Sequence, residues 1–311
     1  MKYQLSGIIG LGEGDVSIPI DATRFESIAA ARALCLLAWD VEEKLSLVLD
    51  NFFEFEVELL KLAEEVVIWG GHEFIDTMQR RLLLDRRLIN VLSACRLYLD
   101  QTDHVISNIF GNPSSELSGI KQFKNKLYDE HFGYRLMETL RNHAQHAGLV
   151  VHGISHNFHH HYRNEGGKRV LEGAKTECAV IPECNVSILA QDSDFKVSVL
   201  KEAEAIGKNL DLRRPLREYV SCITIVHREI RNLINPRAEA ARTSYEQALR
   251  DFEQNECKSL LFPTLEKTDG AAVIARVPLV SDFFEAWDAL LKKNPVLNNL
   301  QWEFASNQTS K

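Results

Sequence analysis

The chain has 311 residues, of which 45% are hydrophobic, so it can bury one large core or two modest ones. Its formal net charge of −8 excludes a protein that binds nucleic acid over its whole surface, although a local basic cleft stays open. The sequence contains neither a membrane-spanning apolar run nor a secretory signal, and most of its six cysteines have apolar or helical neighbours. We therefore expect a cytoplasmic protein with reduced thiols and no membrane association.

Helical patterns dominate the first half of the chain. Residues 1–22 read as a glycine-rich loop, with a short extended piece near 16–20. Apolar residues at spacings of three and four then predict three helices, over 21–38, 40–67 and 73–110. After a break at 111–113, a fourth helical segment with a kink near Gly133 runs to Gly148. Residues 1–150 are thus predicted to form an antiparallel helical bundle.

The second half mixes strands and helices. A histidine-rich loop is expected over 152–162, followed by a β-hairpin with strands at 176–181 and 186–190. Helices over 194–206 and 215–254 complete a segment 151–258 that packs on the bundle. Residues 259–311 read as a small α+β appendage. The fold class is therefore mainly α, with a β-hairpin insertion and a small C-terminal α+β appendage.

The most distinctive polar residues lie at the end of the fourth helical segment. His143 falls on its buried stripe, whereas Arg141, Asn142 and Gln145 lie to one side. Arg141 and His146 are five positions apart, so their side chains diverge by about 140° on a helix. One copy cannot easily direct both groups at one atom. Two copies paired about a two-fold axis would bring two arginines and two histidines into one cleft.

These groups suit phosphate chemistry. An imidazole can exchange protons with a ribose 2′-hydroxyl and a leaving oxygen, and a guanidinium can hold the phosphate. Neither a metal nor a cofactor is needed. The alternative is that Arg141, Asn142 and His146 make buried hydrogen bonds in a non-catalytic helical scaffold. An open, positively lined cleft would favour the enzyme, and full burial would favour the scaffold.

Arg141-Asn142-x3-His146 on the last helix of a bundle resembles the Arg-x4–6-His motif of HEPN-domain ribonucleases. The surrounding run from Tyr134 to Gly153 is also similar to a group of uncharacterised bacterial proteins. The resemblance covers the bundle in outline and does not extend beyond about residue 150. It implies metal-independent RNA cleavage by a homodimer, often in toxin or antiviral systems with an antitoxin or defence partner. In that case Arg141 and His146 are catalytic and Asn142 supports them. We also expect the neighbouring His143 and Gln145 to contact the substrate.

A histidine cluster is the second candidate site. His156, His159, His160 and His161 are close together in sequence and are followed by Arg163. Their spacing matches no established metal-ligand pattern, so we assign no metal, although a metal-dependent hydrolase is a third alternative. If the segment lies near the helix end, His159 and Arg163 would contact RNA. The prediction is therefore a metal-independent endoribonuclease acting as a dimer, with a helical interaction protein as the alternative.

Overall fold

A computed structural model describes residues 1–9, 16–70, 73–254, 261–270, 272–294 and 300–302. The prediction of a mainly helical protein is confirmed, and two small antiparallel sheets accompany the helices. The helices are α1 (Ala22–Trp69), α2 (Phe74–Phe110), α3 (Ser115–Glu130), α4 (Phe132–His146), α5 (Val186–Leu189), α6 (Val197–Ile206), α7 (Arg213–Gln254) and α8 (Phe283–Lys293). The strands are β1 (Lys2–Ile9), β2 (Val16–Ile20), β3 (Gly153–Glu165), β4 (Lys168–Asn185), β5 (Asn209–Asp211), β6 (Leu261–Asp269) and β7 (Ala272–Pro278).

The long helices follow the apolar spacing of the sequence. α2 begins one residue after the predicted start and ends at the predicted Phe110, where glycine and proline follow. α1 is one helix, although two were predicted with a junction near Asp40. Its sequence contains neither glycine nor proline, so no residue interrupts the backbone hydrogen bonds. The predicted kink near Gly133 is a full break between α3 and α4.

Contacts divide the chain into two compact units. The first contains Met1–Ser46, Thr102–Ser118 and His227–Pro295. Its four-stranded sheet has the order β2-β1-β6-β7, and Leu5 on β1 pairs with Leu265 on β6. Both leucines are fully buried. The strands predicted as part of an appendage over 259–311 thus share a sheet with β1, which was predicted as loop, so the contacts do not follow the predicted boundaries at 150 and 258.

A buried ionic cluster joins three helical segments of the first unit. Arg231 on α7 donates to both carboxylate oxygens of Glu42 on α1, at 2.8 and 2.6 Å. His227 Nε2 lies 3.2 Å from the same carboxylate, and Asn294 Nδ2 donates to it after the end of α8. Burial alone would raise the pKa of Glu42, but its interactions with His227 and Arg231 outweigh it and lower the pKa to about 2.

The second unit contains Leu47–Gln101, Gly119–Val226 and Val296–Lys311, as far as these are described. Its sheet has the order β3-β4-β5, and β3 and β4 form one long hairpin. The predicted hairpin was placed wrongly, because the turn is Gly166-Gly167, where both residues have positive φ, and not the segment around Pro182. The predicted histidine loop is therefore strand β3. The second predicted strand is helix α5, capped by Asn185, whose Oδ1 accepts a hydrogen bond from Ser187 N at 2.9 Å.

Candidate active site

The start of α4 is fixed by its contact with the first turns of α7. Gly133 N donates to Glu218 Oε2 at 2.6 Å, and His131 Nδ1 lies 3.0 Å from the other oxygen of that carboxylate. A β-carbon at position 133 would lie 2.5 Å from the Pro215 carbonyl oxygen. Only glycine allows this approach, so Gly133 sets the position from which α4 runs towards the candidate residues.

α4 buries one apolar stripe, and His143 occupies its last turn. Leu136, Met137 and Leu140 are fully buried, and His143 is 6% exposed. An imidazole in this position needs a hydrogen-bond partner, because a buried polar group without one is costly. The partner is Asp192, whose Oδ2 lies 2.6 Å from His143 Nδ1.

The chain that leaves α4 is held by α2. Asp85 is 2% exposed, and its Oδ1 accepts hydrogen bonds from the backbone N–H groups of Val150 and Val151 at 2.7 and 2.8 Å. Arg81 donates to the carbonyl oxygen of Val151 at 2.9 Å. Within α4 itself, the carbonyl of His143 accepts the final backbone hydrogen bonds. The last turn is therefore anchored on both sides of the polar residues.

A cleft of about 410 Å³ opens beside this last turn. It brings together three predicted site residues, Asn142, His143 and His146. Asn142 and His146 are exposed, while His143 reaches the cleft from the buried stripe. The remaining lining residues come from α3, α4 and the segment before α6: Tyr128, Glu138, Thr139, Asp192, Asp194, Phe195 and Lys196.

The cleft is mixed in charge: of its three carboxylates, Glu138 has a cationic partner and Asp192 has an imidazole partner. Glu138 accepts a hydrogen bond from Arg96 at 3.2 Å and another from the buried Tyr219. The hydrogen bond from His143 lowers the pKa of Asp192, with a smaller contribution from the backbone N–H of Asp194. The charge of His146 lowers that pKa further, as expected for a second imidazole close to the same carboxylate.

Lys196 supplies a cation to the cleft. Its Nζ donates to the Tyr128 hydroxyl at 2.8 Å and lies 4.8 Å from the centre of that ring. The lysine side chain is therefore held over an aromatic face but remains exposed. Neither Lys196 nor Tyr128 was predicted from the sequence.

Arg141 and Gln145 do not belong to the described residues that line the cleft. Arg141 Nη1 donates to Asn142 Oδ1 at 3.1 Å, and its buried Nε has no hydrogen-bond partner in the described part of the chain. Gln145 is exposed. The divergence of Arg141 and His146 expected from helix geometry therefore holds within one copy.

The other predicted substrate contacts, His159 and Arg163, lie on the exposed part of β3. The His159 ring contacts that of His161 at 4.7 Å, and Arg163 pairs with Glu165 at 2.8 Å. Neither lines the cleft within the described ranges. On neighbouring positions of β3, the Phe158 ring stacks with the rings of His156 and His160, with ring centroids 6.4 and 6.0 Å apart, respectively.

Asp192 is the most important residue that sequence reasoning missed. It is 49 positions from His143 and lies three residues after the end of α5, so no local motif links the two. One signal was present: a histidine on an otherwise apolar stripe requires a polar partner elsewhere in the chain. That signal predicts that a partner exists but not which residue it is.

The described residues contain neither a metal site nor a membrane-spanning helix. No group of three or more histidine, cysteine, aspartate or glutamate side chains in those residues is arranged to hold a metal ion, including on β3. In the same part of the chain, no helix combines the length and apolar character needed to cross a membrane. Comparisons with protein-family models, curated proteins and solved structures find no match for this chain.

Proposed function

We propose that this protein is a metal-independent endoribonuclease of the HEPN type that acts at the end of α4. The observation that supports this proposal is the cleft that contains Asn142, His143 and His146 together with three carboxylates and a lysine. Two imidazoles beside a cation can move protons to and from the oxygens of a phosphodiester while its charge is balanced. RNA is the matching substrate, because its 2′-hydroxyl is an internal nucleophile.

The proposed roles follow the positions of the side chains. His146 is exposed in the cleft and acts as general acid or base, and Asn142 orients the phosphate or the attacking group. Arg141 binds phosphate in a homodimer. There, the partner subunit's Arg141 approaches the open cleft of the first subunit. The exposure of Asn142, Gln145 and His146 leaves the end of α4 accessible for such pairing.

The strand β3 extends the proposed substrate contacts. His159 and Arg163 are exposed on it, and unpaired bases of RNA can stack on its aromatic and imidazole rings. A role as a toxin or phage-defence effector in the cytoplasm, controlled by an antitoxin or another defence component, agrees with the HEPN resemblance and belongs to the same proposal.

The test is RNA cleavage by the purified protein in EDTA. We expect His146→Ala to lower the cleavage rate by about 10²–10⁴-fold, the usual contribution of a general acid or base. The matched control is His104→Ala, which removes an exposed histidine of α2 outside the cleft and should leave the rate unchanged. Equal rates for His146→Ala and the wild type would refute the assignment.

The second candidate function is a non-catalytic interaction protein. It is favoured by the exposed apolar residues that end α1 and begin α2: Trp69, Phe74 and Ile75 are 73%, 77% and 66% exposed. Large apolar groups clustered on a surface commonly mark a protein interface. A wild-type protein that leaves RNA intact in the assay above would favour this candidate.

A further inference from the structure

We infer that Asp192 and His143 form a base dyad for the RNA substrate, in which the carboxylate holds the imidazole so that His143 Nε2 accepts the 2′-hydroxyl proton. The inference rests on the proposed function and deepens it. The sequence motif assigns proton transfer to His146 alone, whereas the structure assigns the base to a second histidine one helical turn earlier. His146 is then free to serve as the acid.

The first step is the tautomer of His143. Asp192 has a lowered pKa and is ionised near neutral pH, so its Oδ2 can only accept a hydrogen bond. The 2.6 Å contact therefore places the proton of neutral His143 on Nδ1. The lone pair is left on Nε2, and no hydrogen bond to a described residue engages that atom.

The second step is the fixed position of the carboxylate. Asp192 Oδ1 accepts a hydrogen bond from the backbone N–H of Asp194 at 3.0 Å, and its carbonyl accepts one from Phe195 N at 3.1 Å. The Phe195 ring then packs edge-on against the His143 ring, with centroids 6.1 Å apart. Both members of the dyad are therefore held before substrate arrives, as proton transfer between positioned groups requires.

The third step is the presence of an acid and a cation in the same cleft. His146 is three positions after His143, so the two side chains are neighbours on the helix surface. Lys196 carries a positive charge into the cleft from the opposite segment. We assign Lys196 to the phosphate oxygens, since a compact ammonium group binds phosphate as a point charge.

The reaction then balances without another reagent. His143 Nε2 takes the proton of the 2′-hydroxyl, and O2′ forms a bond to phosphorus. The bond between phosphorus and O5′ breaks, and the imidazolium of His146 gives its proton to O5′. One proton is taken up and one is released, so the products are a 2′,3′-cyclic phosphate and a free 5′-hydroxyl.

The experiment measures kcat and KM of Asp192→Ala in EDTA with a short single-stranded RNA. Asp192 is a positioning residue, so we expect kcat to fall about 10²–10⁴-fold while KM changes little. Added formate should restore part of kcat, because a small carboxylate can occupy the space that the substitution opens. A purely structural role predicts no such rescue.

The control is Asp129→Ala, which makes the same substitution at an exposed residue of α3 that does not line the cleft. Its kcat should be unchanged, since the partner of His143 is kept. If Asp192→Ala does not fold, ¹⁵N spectra of wild-type imidazoles serve instead. The dyad predicts the Nδ1–H tautomer of His143, and uridine 3′-monophosphate should shift the signals of His143 and His146 together.

The outcomes separate the two levels of the argument. An active wild type with unchanged kcat in Asp192→Ala, or with an Nε2–H tautomer at His143, overturns the dyad and leaves the proposed function standing. A wild type that cleaves no RNA overturns both. Loss of kcat with formate rescue and cyclic phosphate ends supports both.

Discussion

Two histidine–carboxylate pairs occupy different surroundings in this protein. In the first unit, His227 and Glu42 are each 4% exposed as side chains, and Arg231 and Asn294 also bind the carboxylate. In the second unit, the side chain of His143 is 5% exposed and that of Asp192 is 12% exposed. Burial of the histidine alone thus does not separate the two pairs.

The difference lies in the space beside each pair. The cavity next to Glu42 is about 60 Å³, and the carboxylate there is held by three side chains. The cleft beside His143 is about 410 Å³, large enough for part of a nucleotide. A carboxylate–histidine pair enclosed by further side chains supports the fold, whereas a pair that borders a cleft is available for chemistry.

The largest expected effect comes from removing the carboxylate of the enclosed pair, Glu42 and His227. Glu42→Ala leaves the buried His227 and the half-buried Arg231 without their carboxylate, so the free energy of unfolding should fall by about 3–5 kcal/mol. Asp192→Ala should cost less than half as much, because its carboxylate is more exposed and fewer groups depend on it. Urea denaturation of both variants measures the difference. Equal losses would remove the distinction between the pairs.

The second-largest effect should come from acid, which protonates Glu42 and weakens the enclosed pair. The pKa of Glu42 is lowered from 4.5 to about 2, so this group stabilises the protein fully above about pH 4.5. Below that pH the unfolded chain takes up the proton first, and the contribution is lost progressively as pH falls towards 2. Glu42→Gln should make the free energy of unfolding less dependent on pH in this range. The check is the urea midpoint of both proteins between pH 6 and 2.5, and parallel curves would contradict the assignment.

A third pair gives the smallest effect. His161 Nε2 lies 3.1 Å from Glu177 across the β3–β4 hairpin, and the two side chains are 38% and 54% exposed. Water competes for both groups, so His161→Ala should change the free energy of unfolding by no more than about 0.5 kcal/mol. The same urea titration tests it. A loss comparable to that of Glu42→Ala would show that exposure is a poor guide to these pairs.

The parts of the fold that local sequence predicts are those that local physics decides. α2 follows from apolar spacing and the break after Phe110, and the buried stripe of α4 follows from the same rule. β1 was missed because its pairing depends on β6, far away in the sequence. The hairpin was misplaced because the flanking histidines do not read as strand residues, although Gly166-Gly167 is a strong turn signal.

The candidate site shows the same limit. The positions of Asn142, His143 and His146 on the last turn of α4 could be read from the sequence. Asp192 and Lys196 could not, since only the folded chain brings the segment before α6 to that turn. The divergence of Arg141 from His146 was expected from the helical angle, and the hydrogen bond of Arg141 to Asn142 was not.

The pairing of β1 with β6 has a consequence for synthesis in the cell. Tyr3 lies opposite Lys267, so β1 leaves the ribosome long before β6, its neighbour in the sheet, has been made. At about 5–20 residues per second, that interval is on the order of ten seconds or more. During it, the edge of β1 that later pairs with β6 exposes unpaired backbone groups, to which another chain could add a strand.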